Sequence, residues 1–158
     1  MKRIPMTKAG YEALKQALEQ VISEELPANI KAIEEARAHG DLSENAEFEA
    51  AKDRQAFIHK KINDLKYKLA HADIIDTENV DTHRAIFGCV VLLENVDTEE
   101  TVSYQLVGPE ESDIKKGRIS VKSPLGKAII GKEVGAEITI HVPGGKRRYE
   151  LIEIRCPG

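Results

Sequence analysis

Ten consecutive residues, His39-Gly40-Asp41-Leu42-Ser43-Glu44-Asn45-Ala46-Glu47-Phe48, bring together three carboxylates, two of them three positions apart. On a helical turn that spacing puts the Asp41 and Glu44 Cβ atoms about 5–6 Å from each other. Magnesium takes hard oxygen ligands of this kind. It usually binds one or two carboxylates, keeps waters and completes its shell with phosphate, so two carboxylates alone make an incomplete site. A second reading of the same residues is purely structural. Asp41 would cap a helix, Glu44 at the third position would reach back as in a capping box, and acids would suit the positive end of the helix dipole. Spacing alone leaves both readings standing.

Other candidate chemistry is weaker. Gly126 to Lys132 matches GxxxxGK, the outline of a phosphate-binding loop. Glu133 stands where a hydroxyl should hold magnesium, and Lys127-Ala128-Ile129-Ile130 reads as helix, so the glycines are taken as helix breakers. His39, His59, His71, His83 and His141 form no metal-binding or catalytic spacing, and there is no GxSxG. Cys89 and Cys156 belong to no zinc-like cluster and are expected to be small buried hydrophobes. Nothing predicts self-contained catalysis.

The acidic segment sits between two amphipathic runs. Thr7 is a suitable N-cap, and Tyr11, Leu14, Leu18, Ile22, Leu26, Ile30 and Ile33 recur every three or four residues. Pro27 falls inside this run and should bend it. After Gly40, the positions Phe48, Ala51, Gln55, Ile58, Ile62, Leu65, Leu69 and Ala72 make a heptad seam with one polar member. Two helices of about 30 residues would each span about 45 Å, and the short connection makes them antiparallel. The result is a coiled-coil hairpin too thin to enclose a pocket, with the carboxylates at its tip.

Beyond residue 84 the pattern changes to strands: AIFGCVVLL, TVSYQLV, GAEITIHV and KRRYELIEI alternate apolar and polar residues. Pro143-Gly144-Gly145 supplies a hairpin turn. Ser123 as N-cap, Pro124 at the first helical position and Gly131 as terminator bracket a short helix. The predicted organisation is α+β: a helical finger over 1–74, a linker over 75–83 and an antiparallel sheet domain with one short helix over 84–158.

Composition narrows the function. Lys+Arg 23 against Asp+Glu 27 leaves a net charge of −4, so nucleic acid cannot be held by a bulk positive field. Aromatic residues are only 4% and Trp is absent, which argues against a large aromatic-lined pocket. No apolar run approaches the ~18 residues of a membrane span. A cytoplasmic protein without membrane contact is expected.

AHGDLSENAEF at 38–48, IPMTKAGYEAL at 4–14 and ISVKSPLGKAIIGKEVGAEI at 119–138 together resemble, in order and spacing, the bacterial transcript cleavage factors of the GreA/GreB family. The last block is more similar to the GreA branch. The resemblance implies an N-terminal coiled coil and a C-terminal FKBP-like domain that docks on bacterial RNA polymerase. The finger then enters the secondary channel, and the polymerase's own cleavage of backtracked RNA is stimulated near the RNA 3′ end. Asp41 and Glu44 match the family's acidic pair. They are expected to act in trans by sharing a magnesium ion with polymerase, with no cofactor held in isolation and the factor a monomer.

Ser43, Asn45 and Phe48 match neighbouring tip positions, although helix-start hydrogen bonding is an equal reading for Ser43 and Asn45. Arg37 and Lys52 match a small basic patch that would steer RNA by its phosphates, with ordinary surface charge as the alternative. Phe48 replaces a common Tyr, and Leu26 a frequent basic residue. Two other functions compete. A prolyl isomerase is disfavoured because residues 75–158 hold only Phe87, Tyr104 and Tyr149 as aromatics. A channel-binding inhibitor of polymerase would share the scaffold but lack cleavage, and the tip sequence favours cleavage.

Overall fold

A computed structural model describes residues 3–40, 45–76 and 82–157. Asp41, Ser43 and Glu44, and residues 77–81 of the expected linker, lie outside the described residues. The described residues divide into two compact units, one within Tyr11–Ala72, the other of Arg3–Gly10 and the described residues from Asp73 onward.

The first unit is helical. α1 (Lys8–Gln20) runs through a π-helical turn (Val21–Glu25) into α2 (Leu26–Arg37), and α3 (Ala46–Ala70) packs against α2. The π turn has a local cause. Pro27 has no N–H for the carbonyl four residues earlier, and its ring crowds that carbonyl. The preceding turn widens in response: the Leu26 N–H bonds the Val21 carbonyl, five residues back. One consequence departs from the expected stripe. Within the π turn Val21 is buried and Ile22 exposed, and the wide turn shifts the phase of α2, so Ile30 is exposed while Asn29, Ile33 and Ala36 are buried. The α3 seam follows its heptads, with Ala51, Ile58, Ile62 and Leu65 buried. Val21, Ile58, Ile62 and Leu65 form the hairpin core, flanked by Leu14, Ala17, Leu18 and Leu26.

The second unit is built on a five-stranded sheet in the order β5-β4-β3-β7-β6. Its strands are β3 (Val90–Asn95), β4 (Thr101–Val107), β5 (Arg118–Ser120), β6 (Glu137–Val142) and β7 (Gly145–Arg155). Three neighbouring pairs are antiparallel, but β4 and β5 run parallel, Leu106 opposite Ile119. The sheet is therefore mixed rather than antiparallel. β5 has only three residues, too few to show a period, and parallel pairing needs a crossover, here residues 108–117. A strand expected from Ala85 begins only at Val90, because Gly88 turns the chain at φ 91°.

The short helix α4 (Pro124–Ile129) starts as expected, with Ser123 Oγ accepting the Gly126 N–H at 3.1 Å. Gly131, at φ 83°, follows its end. Gly126 has a different role from helix breaking: a Cβ there would sit 2.0 Å from the Ser120 carbonyl oxygen, so the helix can approach that backbone only with glycine. Packing thus explains Gly126, and a left-handed backbone just past the end of α4 explains Gly131. Inward residues Cys89, Val91, Leu93, Leu106, Ile129, Ile138 and Leu151 fill the core. Cys89 is buried as expected, whereas Cys156 is exposed, because it lies one residue past the end of β7.

Arg3–Gly10 belongs to this second unit for a visible reason. β1 (Ile4–Met6) pairs with β2 (Ala72–Ile74), and the Met6 carbonyl accepts the Ile75 N–H at 2.9 Å. Thr7 donates both its N–H, at 2.8 Å, and its hydroxyl to the Glu111 carboxylate. The same hydroxyl accepts the Gly10 N–H at 3.0 Å, the N-cap expected of Thr7.

Candidate functional site at the hairpin turn

The helices on either side of the acidic segment end and begin by identifiable means. At the end of α2 the Gly40 N–H bonds the Arg37 carbonyl and the His39 N–H bonds the Ala36 carbonyl, each at 3.2 Å. Gly40 then adopts φ 101°, a conformation that suits glycine alone among common residues. Arg37 stands in the last turn, where a cation complements the helix dipole.

α3 begins at Asn45. Its Oδ1 accepts the Phe48 N–H at 3.1 Å, and its Nδ2 donates to the Ala36 carbonyl at 2.8 Å. One side chain thus caps α3 and ties it to the last turn of α2, fixing the spacing of the two helix ends. The helix-start reading is the one realised for Asn45. Asn45 holds the N-cap position of α3, and the capping reading of Asp41 and Glu44 falls on residues outside those described.

Phe48 is half-buried on the hairpin, and the Arg37 guanidinium lies 6.0 Å from its ring centroid, at the outer limit of a cation–π contact. Lys52 is one turn further along the same face of α3 and donates to Gln55 at 2.9 Å. Arg37, Phe48 and Lys52 therefore share one side of the hairpin, both cations exposed. Across the turn, His39 Nε2 and a Glu47 carboxylate oxygen stand 3.7 Å apart. Asp41, Ser43 and Glu44 lie outside the described residues, and the structure makes no statement on their geometry.

The hairpin is kept slender by small residues. Ala28, Ala32, Ala50 and Ala51 line a shallow groove of about 530 Å³ along α2 and α3. At the level of the π turn, Glu25 receives Arg54 at 2.9 Å and Lys61 at 3.2 Å, both from α3. Sequence reasoning missed these cross-helix ties, since partners 29 and 36 residues apart leave no periodic signal.

Residues 4–74 match the family model for the N-terminal part of transcription elongation factors, and residues 80–156 match that for the GreA/GreB C-terminal part. The transcription elongation factor GreA of Thermodesulfovibrio yellowstonii is 53% identical over 96% of this chain and 96% of its own. GreA of Syntrophobacter fumaroxidans is 52% identical over 98% of this chain and 99% of its own. Among solved structures, GreA factor homolog 1 of Thermus thermophilus is 33% identical, with 98% of this chain and 99% of that one covered and a TM-score of 0.45. The two family matches together span nearly the whole chain, and the protein belongs to the GreA/GreB family of transcription elongation factors.

Proposed function

We propose that this chain stimulates the transcript-cleaving activity of bacterial RNA polymerase on backtracked complexes, with the hairpin turn inserted through the secondary channel and the sheet unit docked outside. Asn45 is the observation that carries the reading. Because Asn45 caps α3 and ties it to α2, the helix ends on either side of the acidic segment are held by a residue outside the acidic pair.

The donor set suits magnesium. Asp41 and Glu44 offer two hard carboxylates, too few to retain the ion alone and suited to one shared with polymerase groups and RNA phosphate. When bound, the metal supplies Lewis-acid stabilisation of the phosphodiester and activation of water. The chain's residues do the rest. Asp41 and Glu44 hold ligand oxygens at the turn, Asn45 and Gly40 set the ends of the helices that present them, and Ser43 and Phe48 shape the turn. Arg37 and Lys52, exposed on one side of the hairpin, attract RNA phosphates and guide the 3′ end toward the carboxylates. The chain acts as a monomer in the cytoplasm and does not hydrolyse RNA unaided.

The test is cleavage of RNA in backtracked polymerase complexes across a magnesium titration. Asp41→Asn and Glu44→Gln should each lower stimulated cleavage by at least about 100-fold, the scale of losing a transition-state electrostatic contact, while polymerase binding persists. Normal cleavage by both variants would defeat the proposal. Binding by the wild type without any cleavage would instead make the chain a channel-occupying inhibitor.

A further inference from the structure

Cys89 and Cys156, the chain's two cysteines, are 67 positions apart in sequence, yet they flank the neighbouring ends of β3 and β7. β3 and β7 pair antiparallel with Val90 opposite Arg155, the last pair of the ladder; continuing that register by one residue past both strand ends sets Cys89 opposite Cys156. Strand alternation continued past the two ends assigns both positions to one face of the sheet. Cys89 alternates with Val91 and Leu93, all buried in the core, and Cys156 is two residues beyond Ile154, the buried partner of Val91.

The kind of pairing matters. Successive strand residues turn their backbone polar groups toward opposite neighbours, and the Cys89 carbonyl accepts the Leu106 N–H from the β4 side at 2.9 Å. Toward β7 it is therefore a non-hydrogen-bonded position, where facing Cα atoms stand about 4.5 Å apart and side chains are closest. A disulfide spans Cα separations of about 4.4–6.8 Å.

We propose that Cys89 and Cys156 are a peroxide-responsive dithiol that closes into an intramolecular disulfide across the ends of β3 and β7. Their unequal environments assign the order of events. Cys156 is exposed and meets the oxidant first, whereas Cys89 is fully buried. Burial pushes the Cys89 thiol up, opposed by backbone hydrogen bonds at Ile86 and its own residue, and the nearby Cys156 adds to the rise through its charge. Cys89 is thus the resolving thiol rather than the sensing one.

The Cys156 thiolate attacks one oxygen of hydrogen peroxide, so that the O–O bond breaks as the S–O bond of a sulfenic acid forms and the other oxygen leaves as hydroxide. The Cys89 sulfur then displaces the sulfenic hydroxyl, which departs as water with the Cys89 proton as the S–S bond forms. The hydroxide takes up the proton lost from Cys156. The two thiols lose two electrons and two protons, and the peroxide becomes two waters.

The full-length chain is treated with hydrogen peroxide, then denatured, alkylated and digested without reduction. A monomer with no alkylatable thiol and a Cys89–Cys156 linked peptide is expected, with both thiols recovered after dithiothreitol. In Cys156→Ser the buried Cys89 should stay reduced at peroxide doses that fully oxidise the wild type. Wild type that crosslinks between chains through Cys156, or over-oxidises Cys156 while Cys89 remains alkylatable, would overturn the proposal. So would oxidation of Cys89 at an unchanged rate in Cys156→Ser.

Discussion

Asn45 serves two helices with one side chain, which makes it the most consequential described residue at the turn. Asn45→Ala removes the acceptor for the Phe48 N–H and the donor to the Ala36 carbonyl. Loss of an N-cap costs about 0.5–2 kcal/mol, and the two-helix tie places this variant at the upper end, about 2 kcal/mol by urea unfolding. Asn45→Asp keeps the cap and loses only the tie, so its stability should fall between the two. Arg37→Gln and Lys52→Gln should scarcely change stability, since both cations are exposed. Stimulated cleavage in these two variants should become less sensitive to added salt if the cations guide RNA phosphates. The acceptor role of Asn45 was legible in the sequence, because a short polar side chain precedes an apolar seam. Its bond to Ala36 was not, as that depends on how the two helix ends meet.

At the level of elements, the π turn sets the register of the hairpin. It moves Asn29 into the buried face at 5% exposure, where Nδ2 donates to the Ala51 carbonyl at 2.9 Å. Asn29 Oδ1 has no protein donor among the described residues. A buried oxygen of that kind costs about 1–3 kcal/mol, more than one ordinary hydrogen bond contributes. Asn29→Leu should therefore leave the melting temperature unchanged or raise it, while loosening the preference for one helix register, as a buried amide does in coiled coils. Thermal melts and crosslinking between α2 and α3 would read the two effects separately. Ile58→Ala is the opposite case: Ile58 is 1% exposed at the hairpin core, and its truncation should cost about 2–5 kcal/mol in the same melts. Heptad spacing announced Ile58 directly. Asn29 escaped notice because Pro27 was expected to bend the helix, whereas it also rotates everything that follows.

For the molecule as a whole, the notable feature is that the opening residues join the sheet unit rather than the hairpin. Gly108 permits it, since a Cβ there would lie 2.1 Å from the Pro5 carbonyl oxygen, a backbone atom that cannot swing aside. Gly108→Ala should destabilise by about 1–3 kcal/mol as overpacking, with faster amide exchange at residues 4–7. Glu111→Ala should speed exchange at Thr7 and Gly10 while leaving the sheet core protected, because it removes the Thr7 bonds without forcing backbone apart. By itself the sequence determined the helical hairpin, four of the five sheet strands, the Ser123 cap of α4 and the family, since each follows from periodicity, turn chemistry or ordered motifs within a short stretch of chain. Only the tertiary structure decided the parallel β5, the rotated face of α2, the attachment of residues 3–10 to the sheet unit and the placing of Cys89 and Cys156 at neighbouring strand ends. Each of these depends on which distant backbone groups find one another, and a hydrogen bond or a close approach between residues far apart in the chain leaves no mark on local spacing.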